Sequence, residues 1–206
     1  MCGIAGFFDS ENKHSSSELK VKISKMTDVL SHRGPDDVGV WISEDNCVAL
    51  GHRRLSILDL NKRGKQPFFS SSGRYIIIFN GEIYNFRKIK NELDIERNIK
   101  WKTNTDTEVI VEAFENWGIE NSIKKFQGMF AIAIWDKKNN ELSLVRDRFG
   151  IKPLYFGVKN NTLLFGSELK SLRQFGYSFD MCFKSINDFL HLGYIPAPNT
   201  IYKNLF

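Results

Sequence analysis

The chain has 206 residues, 42% of them hydrophobic, 13% aromatic (17 of them Phe) and 26% charged, with a formal net charge of +5. That is enough apolar chain to bury a sizeable core, and disordered or low-complexity readings fail on composition. The longest apolar run, residues 129–135, falls far short of the roughly 20 residues that cross a bilayer, and Lys and Arg are scattered without a stripe, so neither a membrane nor a nucleic-acid partner is expected.

The first eight residues carry no Lys or Arg and run into Asp9. The basic start of a secretory signal is missing, and a cytoplasmic location is expected. Residues 4–8 read as a strand, after which Ser15 to Glu18 form a capping box for a helix whose Leu19, Ile23, Met26 and Leu30 share one face. Short strands are expected at 39–43, 48–52 and 75–79, bounded by loops rich in Gly, Ser and Asn. Asn85 is placed to cap a helix with Phe86, Ile89 and Leu93 inward. Thr105 to Glu108 is a second capping box, opening a helix with Ile110, Ala113, Phe114 and Trp117 on one face and Gly118 at its end. A short helix then leads to two hairpins. One joins 129–135 to 141–145 through a Lys-Lys-Asn-Asn turn, and the other joins 154–158 to 162–165 through Asn160-Asn161. The two prolines of residues 193–200 mark a loop or connector. Strands at both ends with helices between and after them give an α+β protein with antiparallel sheets, not a doubly wound parallel sheet.

Three cysteines (Cys2, Cys47 and Cys182) make no disulfide framework and show no metal-ligand spacing, so no metal is expected. Cys2 stands apart because it becomes the N-terminus if Met1 is removed. An α-amine titrates near 7.7–8.0 and a thiol near 8.5, so the amine of the same residue is matched to take the thiol proton, and no His or Asp partner is needed. By itself a Cys at this position is also a small residue suited to Met removal or burial. Asn80-Gly81-Glu82 follows an apolar strand, where a side-chain amide beside a glycine N–H offers two donors to an oxyanion; the same dipeptide is also a hairpin turn. Arg54, after a strand, suits a carboxylate, or is a solvated surface residue. Asp106 in the first turn of a helix could bind an ammonium group or merely complement the helix dipole.

Several motifs occur together and in order: Cys2-Gly3-Ile4-Ala5-Gly6, Ser31-His32-Arg33-Gly34-Pro35-Asp36, Gly51-His52-Arg53-Arg54-Leu55-Ser56-Ile57, Gln66-Pro67, Asn80-Gly81-Glu82-Ile83-Tyr84-Asn85, Thr105-Asp106-Thr107-Glu108 and Arg146-Asp147-Arg148-Phe149-Gly150. With them the chain resembles the N-terminal glutamine amidotransferase domain of glutamine-dependent asparagine synthetases, a branch of the N-terminal-nucleophile hydrolases. The resemblance implies a four-layer αββα sandwich of two antiparallel sheets. It also implies roles: Cys2 attacks the side-chain amide of L-glutamine, with its α-amine relaying protons. Asn80 and the Gly81 N–H hold the oxyanion. Arg54 holds the substrate α-carboxylate, Asp106 and Glu82 hold its α-ammonium, and the backbone at Ile57 and Leu58 completes the pocket. Ammonia leaves first and water then hydrolyses the thioester.

Within the resemblance, residues 2–192 form the amidotransferase domain and 193–206 begin a connector toward a synthetase domain that the sequence does not contain. There is no Ser-Gly-Gly-x-Asp-Ser loop and no GxxxxGK[ST] loop. No cofactor is expected for this chain; ATP and Mg would serve only the synthetase domain, in cis or as a partner chain. A catalytically silent glutamine-binding module is the alternative, and a homodimer stays open. His32 to Pro35 is expected to shape a loop near the pocket. Residues 146–153 read as strand and turn, with Arg and Asp satisfying one another, and Cys47 and Cys182 as ordinary small residues.

Overall fold

The computed structural model describes residues 1–11, 13–56, 62–176 and 178–206. Nine strands form two antiparallel sheets among these residues. The first sheet has the order β2 (Asp37–Ile42), β3 (Val48–Arg54), β1 (Gly3–Asp9), β9 (Thr162–Gly166), β8 (Tyr155–Lys159). The second has the order β4 (Phe68–Phe69), β5 (Tyr75–Ile83), β6 (Gly128–Asp136), β7 (Glu141–Arg146). Helices α1 (Ser16–Asp28) and α4 (Leu169–Arg173) lie on the outer face of the first sheet. Helices α2 (Phe86–Arg97) and α3 (Asp106–Lys125) cover the second, and α5 (Phe183–Leu192) follows them in the chain.

The period of two along each strand decides which side chain enters which layer. In β1, Ala5 and Phe7 meet Leu19, Ile23 and Met26 of α1, while Ile4 points between the sheets. In β5, Ile77 and Phe79 meet Ile110 and Phe114 of α3, while Ile76 and Ile78 face the first sheet together with Ala133 and Trp135 of β6. Each sheet is thus apolar on both faces, which gives the expected αββα sandwich.

Local chemistry agrees with the sequence in some places and overrides it in others. The Ser15 capping box closes in both directions. At the start of α3, Thr105 Oγ1 accepts the Glu108 N–H at 3.4 Å, but the Glu108 carboxylate turns to the N–H groups of Lys102 and Thr103, so only half of that box forms. Asn85 occupies the N-cap of α2 without capping it; its amide instead donates to Lys125 O and accepts from Gln127 N–H. Gly118, at φ 75°, breaks α3, and the helix resumes to Lys125. Asn160 and Asn161 both adopt positive φ, as a two-residue hairpin with this strand twist requires.

In residues 146–153 the expected Arg–Asp pairing does not occur. Asp147 accepts the backbone N–H groups of Phe130, Phe149, Ile151 and Lys152, and Arg146 donates to the carbonyls of Gly150 and Lys152. Both side chains organise the turn's backbone, because a turn of this tightness leaves its N–H groups with no strand to join. Cys47 is buried, and burial pushes its thiol up to about 11. The end of the described chain returns to the first sheet: Phe156 and Phe206 exchange two backbone hydrogen bonds of 2.8 Å, and Leu205 is buried. Among the described residues no helix is long and apolar enough to cross a membrane.

Candidate active site

The faces that the two sheets turn toward each other are apolar over most of their length and become polar at one end. The parity of β1 that sends Ile4 inward sends Cys2 to the same face just before the strand starts. In β3 that face runs from Val48 and Leu50 through His52 to Arg54, and in β5 from Ile76 and Ile78 to Asn80 and Glu82. Cys2, Arg54, Asn80, Gly81, Glu82 and Asp106 accordingly line one cavity of about 280 Å³. Ile57 and Leu58 lie outside the described residues. A larger open cleft of about 560 Å³, between Lys65, Phe69 and Trp101, contains none of these groups.

Cys2 is fixed from several sides. The Leu55 N–H points at its Sγ at 3.4 Å, and its carbonyl accepts from Arg33 Nε at 3.0 Å. Arg33 Nη1 and His32 Nε2 both reach Glu168 Oε1, at 3.0 and 2.9 Å. Burial alone would raise the Glu168 carboxyl, but hydrogen bonds from Arg33, His32 and Lys170 outweigh it and hold it at about 2. His32 to Pro35 is therefore the expected loop near the pocket, and Glu168 is the residue that clamps it.

Asn80-Gly81 is neither a turn nor a strand end, because β5 continues through both to Ile83. Gly81 lies opposite Phe130, whose N–H and C=O both turn the other way, to Asp147 Oδ2 and Asp147 N–H. Gly81 is thus in a non-hydrogen-bonded pair, and its N–H points to the opposite edge of β5. Along that edge the Phe79 N–H is taken by Gln66 Oε1 at 2.6 Å and the Ile83 N–H by Asp106 Oδ2 at 3.1 Å, with Gly81 between them at the cavity. A side chain at 81 would stand 2.2 Å from Met129 O, so the pairing itself demands glycine. Asn80 is 1% exposed, and its Nδ2 has no hydrogen-bond partner among the described residues. A buried amide donor without a partner costs roughly 1–3 kcal/mol, and here it borders a cavity shared with a thiol.

The charged groups of the cavity include the Arg54 guanidinium and the carboxylates of Asp106 and Glu82. Arg54 is 8% exposed, and Gly64 packs so closely that a Cβ there would come 2.7 Å from Nη2. Asp106 is buried, and burial raises its carboxyl to about 6 despite the Ile83 N–H; nearby Glu82 adds to the rise. A cation entering the site would relieve both. Beneath the floor, His52 Nε2 lies 3.1 Å from Phe79 O, and burial lowers its imidazole to about 4. That places a neutral tie between the sheets. Among the described residues no group of three or more His, Cys, Asp and Glu could hold a metal ion.

Sequence reasoning passed over three contributors. Leu55 acts through its backbone, which no side-chain pattern betrays. Gln66 bridges the Phe79 N–H to Thr107 Oγ1 at 2.6 and 3.4 Å. Lys152, from a stretch read as turn architecture, is 3% exposed and lines the cavity; its burial is the signal, and only the fold supplies it.

A family model described as glutamine amidotransferase domain matches residues 1–206. A putative asparagine synthetase [glutamine-hydrolyzing] 2 of Methanocaldococcus jannaschii is 35% identical over all of this chain and 42% of its own length. Asparagine synthetase [glutamine-hydrolyzing] 2 of Bacillus subtilis is 45% identical over 84% of this chain and 22% of its own. The chain thus spans less than half the length of these relatives. The solved glutamine phosphoribosylpyrophosphate amidotransferase of B. subtilis shares the fold with a TM-score of 0.67 at 19% identity, covering 87% of this chain and 45% of that one.

Proposed function

This chain belongs to the family of glutamine amidotransferase domains, and from that premise we propose that Cys2, freed of Met1, is the nucleophile with which it hydrolyses the side-chain amide of L-glutamine. The α-amine of Cys2 takes the thiol proton as sulfur attacks the amide carbon. The tetrahedral oxyanion receives the Asn80 amide and the Gly81 N–H. The amine's proton passes to the leaving nitrogen and ammonia departs. Water, deprotonated by the same amine, then opens the thioester, giving glutamate and the free thiol. Arg54 holds the substrate carboxylate, and Asp106 with Glu82 holds its ammonium. An analogue lacking either end would strand a buried charge, which is how such a pocket selects.

The observation that carries this reading is the buried Asn80 Nδ2, without a hydrogen-bond partner among the described residues, beside the Gly81 N–H edge in the Cys2 cavity. Ammonia in bulk water is protonated and loses its nucleophilicity. We therefore read residues 2–192 as the ammonia source and 193–206 as the way toward an acceptor-activating part, in cis or in trans, that uses ATP and Mg to amidate aspartate. The reading needs no cofactor in this chain, no nucleic acid and no second copy. The test is the purified chain: intact mass without Met1, and glutamate released from glutamine by the wild type and not by Cys2→Ala. Equal release by the variant overturns it.

A further inference from the structure

Lys152 is the one lysine that lines the Cys2 cavity among the described residues. It is 3% exposed and sits at the end of the turn that Asp147 and Arg146 hold rigid: Asp147 Oδ2 accepts its N–H at 2.9 Å, and its carbonyl accepts from Arg146 Nε at 2.7 Å. Its position is thus fixed by backbone contacts, and the side chain is free to serve the cavity it lines with Met1 and Cys2. Among the described residues its ammonium has one hydrogen-bond partner, Met1 Sδ at 2.9 Å. A thioether is a weak acceptor, and it departs with Met1 in the proposed mature chain. A buried ammonium would then be left facing the new N-terminus, and a buried charge is retained only where something answers it.

Resting on the reading of Cys2 as nucleophile, we propose that Lys152 is a positioning residue for the reaction, a fixed positive charge that keeps the Cys2 amine unprotonated and favours the sulfur anion. Lys152 keeps its own proton throughout. A like charge nearby disfavours the ammonium form of the amine, and an opposite charge favours the thiolate. Both effects favour the state in which the amine accepts and the sulfur attacks.

The other charged groups around it fit this division. Burial first, and then Arg33, hold the Lys152 ammonium below its ordinary value; Cys2, Glu82 and Asp147 pull it back up. Arg54 and Asp106 border the same cavity and belong to the substrate's two ends. Arg33 is tied to Glu168 and to the Cys2 carbonyl, whereas Lys152 Nζ has no hydrogen-bonded carboxylate among the described residues, only Met1 Sδ.

The experiment compares the processed wild-type chain with Lys152→Met, Lys152→Gln and Lys152→Arg. Alkylation of Cys2 by iodoacetamide is followed across pH by the mass of the N-terminal peptide, which separates Cys2 from Cys47 and Cys182. Glutamate release is followed in parallel. Wild type and Lys152→Arg are expected to share one alkylation midpoint, with the midpoint and the acid limb of kcat/KM moving up by about one pH unit in both uncharged variants, the low end of what a neighbouring charge imposes. An unmoved midpoint in the uncharged variants, or an equal move in Lys152→Arg, overturns the proposal. Glutamate release by Cys2→Ala instead overturns the nucleophile reading, and alkylation still reports on Lys152.

Discussion

The space between the two sheets has two ends built on the same strands. At one, Ile76, Ile78, Ala133, Trp135 and Leu50 close on one another with almost no exposure. At the other, the same faces of the same strands carry Arg54, Asn80 and Glu82, with Cys2 leading into β1. No change of backbone plan separates core from site. Two residues along a strand suffice to turn a packed side chain into one that lines the cavity, because register carries the facing geometry onward. The rigidity of the packed end is therefore what holds the cavity end in place.

The contrast can be broken at either end. The largest effect is expected at Asn80: replacement by Ala removes an oxyanion donor and lowers kcat about 10²–10³-fold with little change in KM, as steady-state glutamate release would record. At the closed end, Ile78→Ala should cost roughly 2–5 kcal/mol in urea unfolding and leave the KM for glutamine as it was; a shifted KM would mean the ends are not separable in this way. Asp106 sharpens the comparison through pH. Its carboxyl, raised by burial to about 6 from 3.8, destabilises the fold above about 6 and not at all below about 3.8. Asp106→Asn should therefore stabilise the chain by on the order of 2 kcal/mol at pH 7.5, with the gain gone at pH 3.5, while raising KM at neutral pH. In the wild type KM should rise as pH falls through 6, because a protonated Asp106 cannot hold an ammonium. The smallest effect is at Glu168, whose carboxyl is depressed to about 2 from 4.5. Its stabilisation is present above 4.5 and lost as pH falls toward 2. Since this carboxylate is a quarter exposed, Glu168→Gln should cost about 1 kcal/mol at neutral pH, with a modest loss of kcat as Arg33 loosens its hold on Cys2.

The sequence disclosed most readily what short range decides. The Ser15 box, the α1 stripe and the Asn160-Asn161 hairpin depend on neighbours within a few residues, and all three formed. Asn80-Gly81 has the letters of a turn, yet becomes mid-strand because β6 pairs with it through Met129 and Phe130, nearly fifty residues away. Asn85 gave up its cap for Lys125 and Gln127 on the same long-range grounds. Arg146 and Asp147, adjacent in sequence, looked like partners, but the tight turn offered each a better match in backbone groups. Lys152 was hidden for a related reason, since nothing within ten residues tells a buried lysine from a solvated one.

Beyond its short pairing with β4, β5 leaves one side of its backbone without a neighbouring strand among the described residues. Such a side ordinarily invites another chain to add itself, the first step of aggregation. Here alternate donors are taken singly, by Gln66 at Phe79 and by Asp106 at Ile83. Among the described residues the one left between them, at Gly81, is too isolated to zip up a foreign strand, and it is the N–H to which the proposed reaction brings a single oxygen. In the proposed reading, the side chains that guard this edge against polymerisation are the same ones that leave a single donor for the substrate.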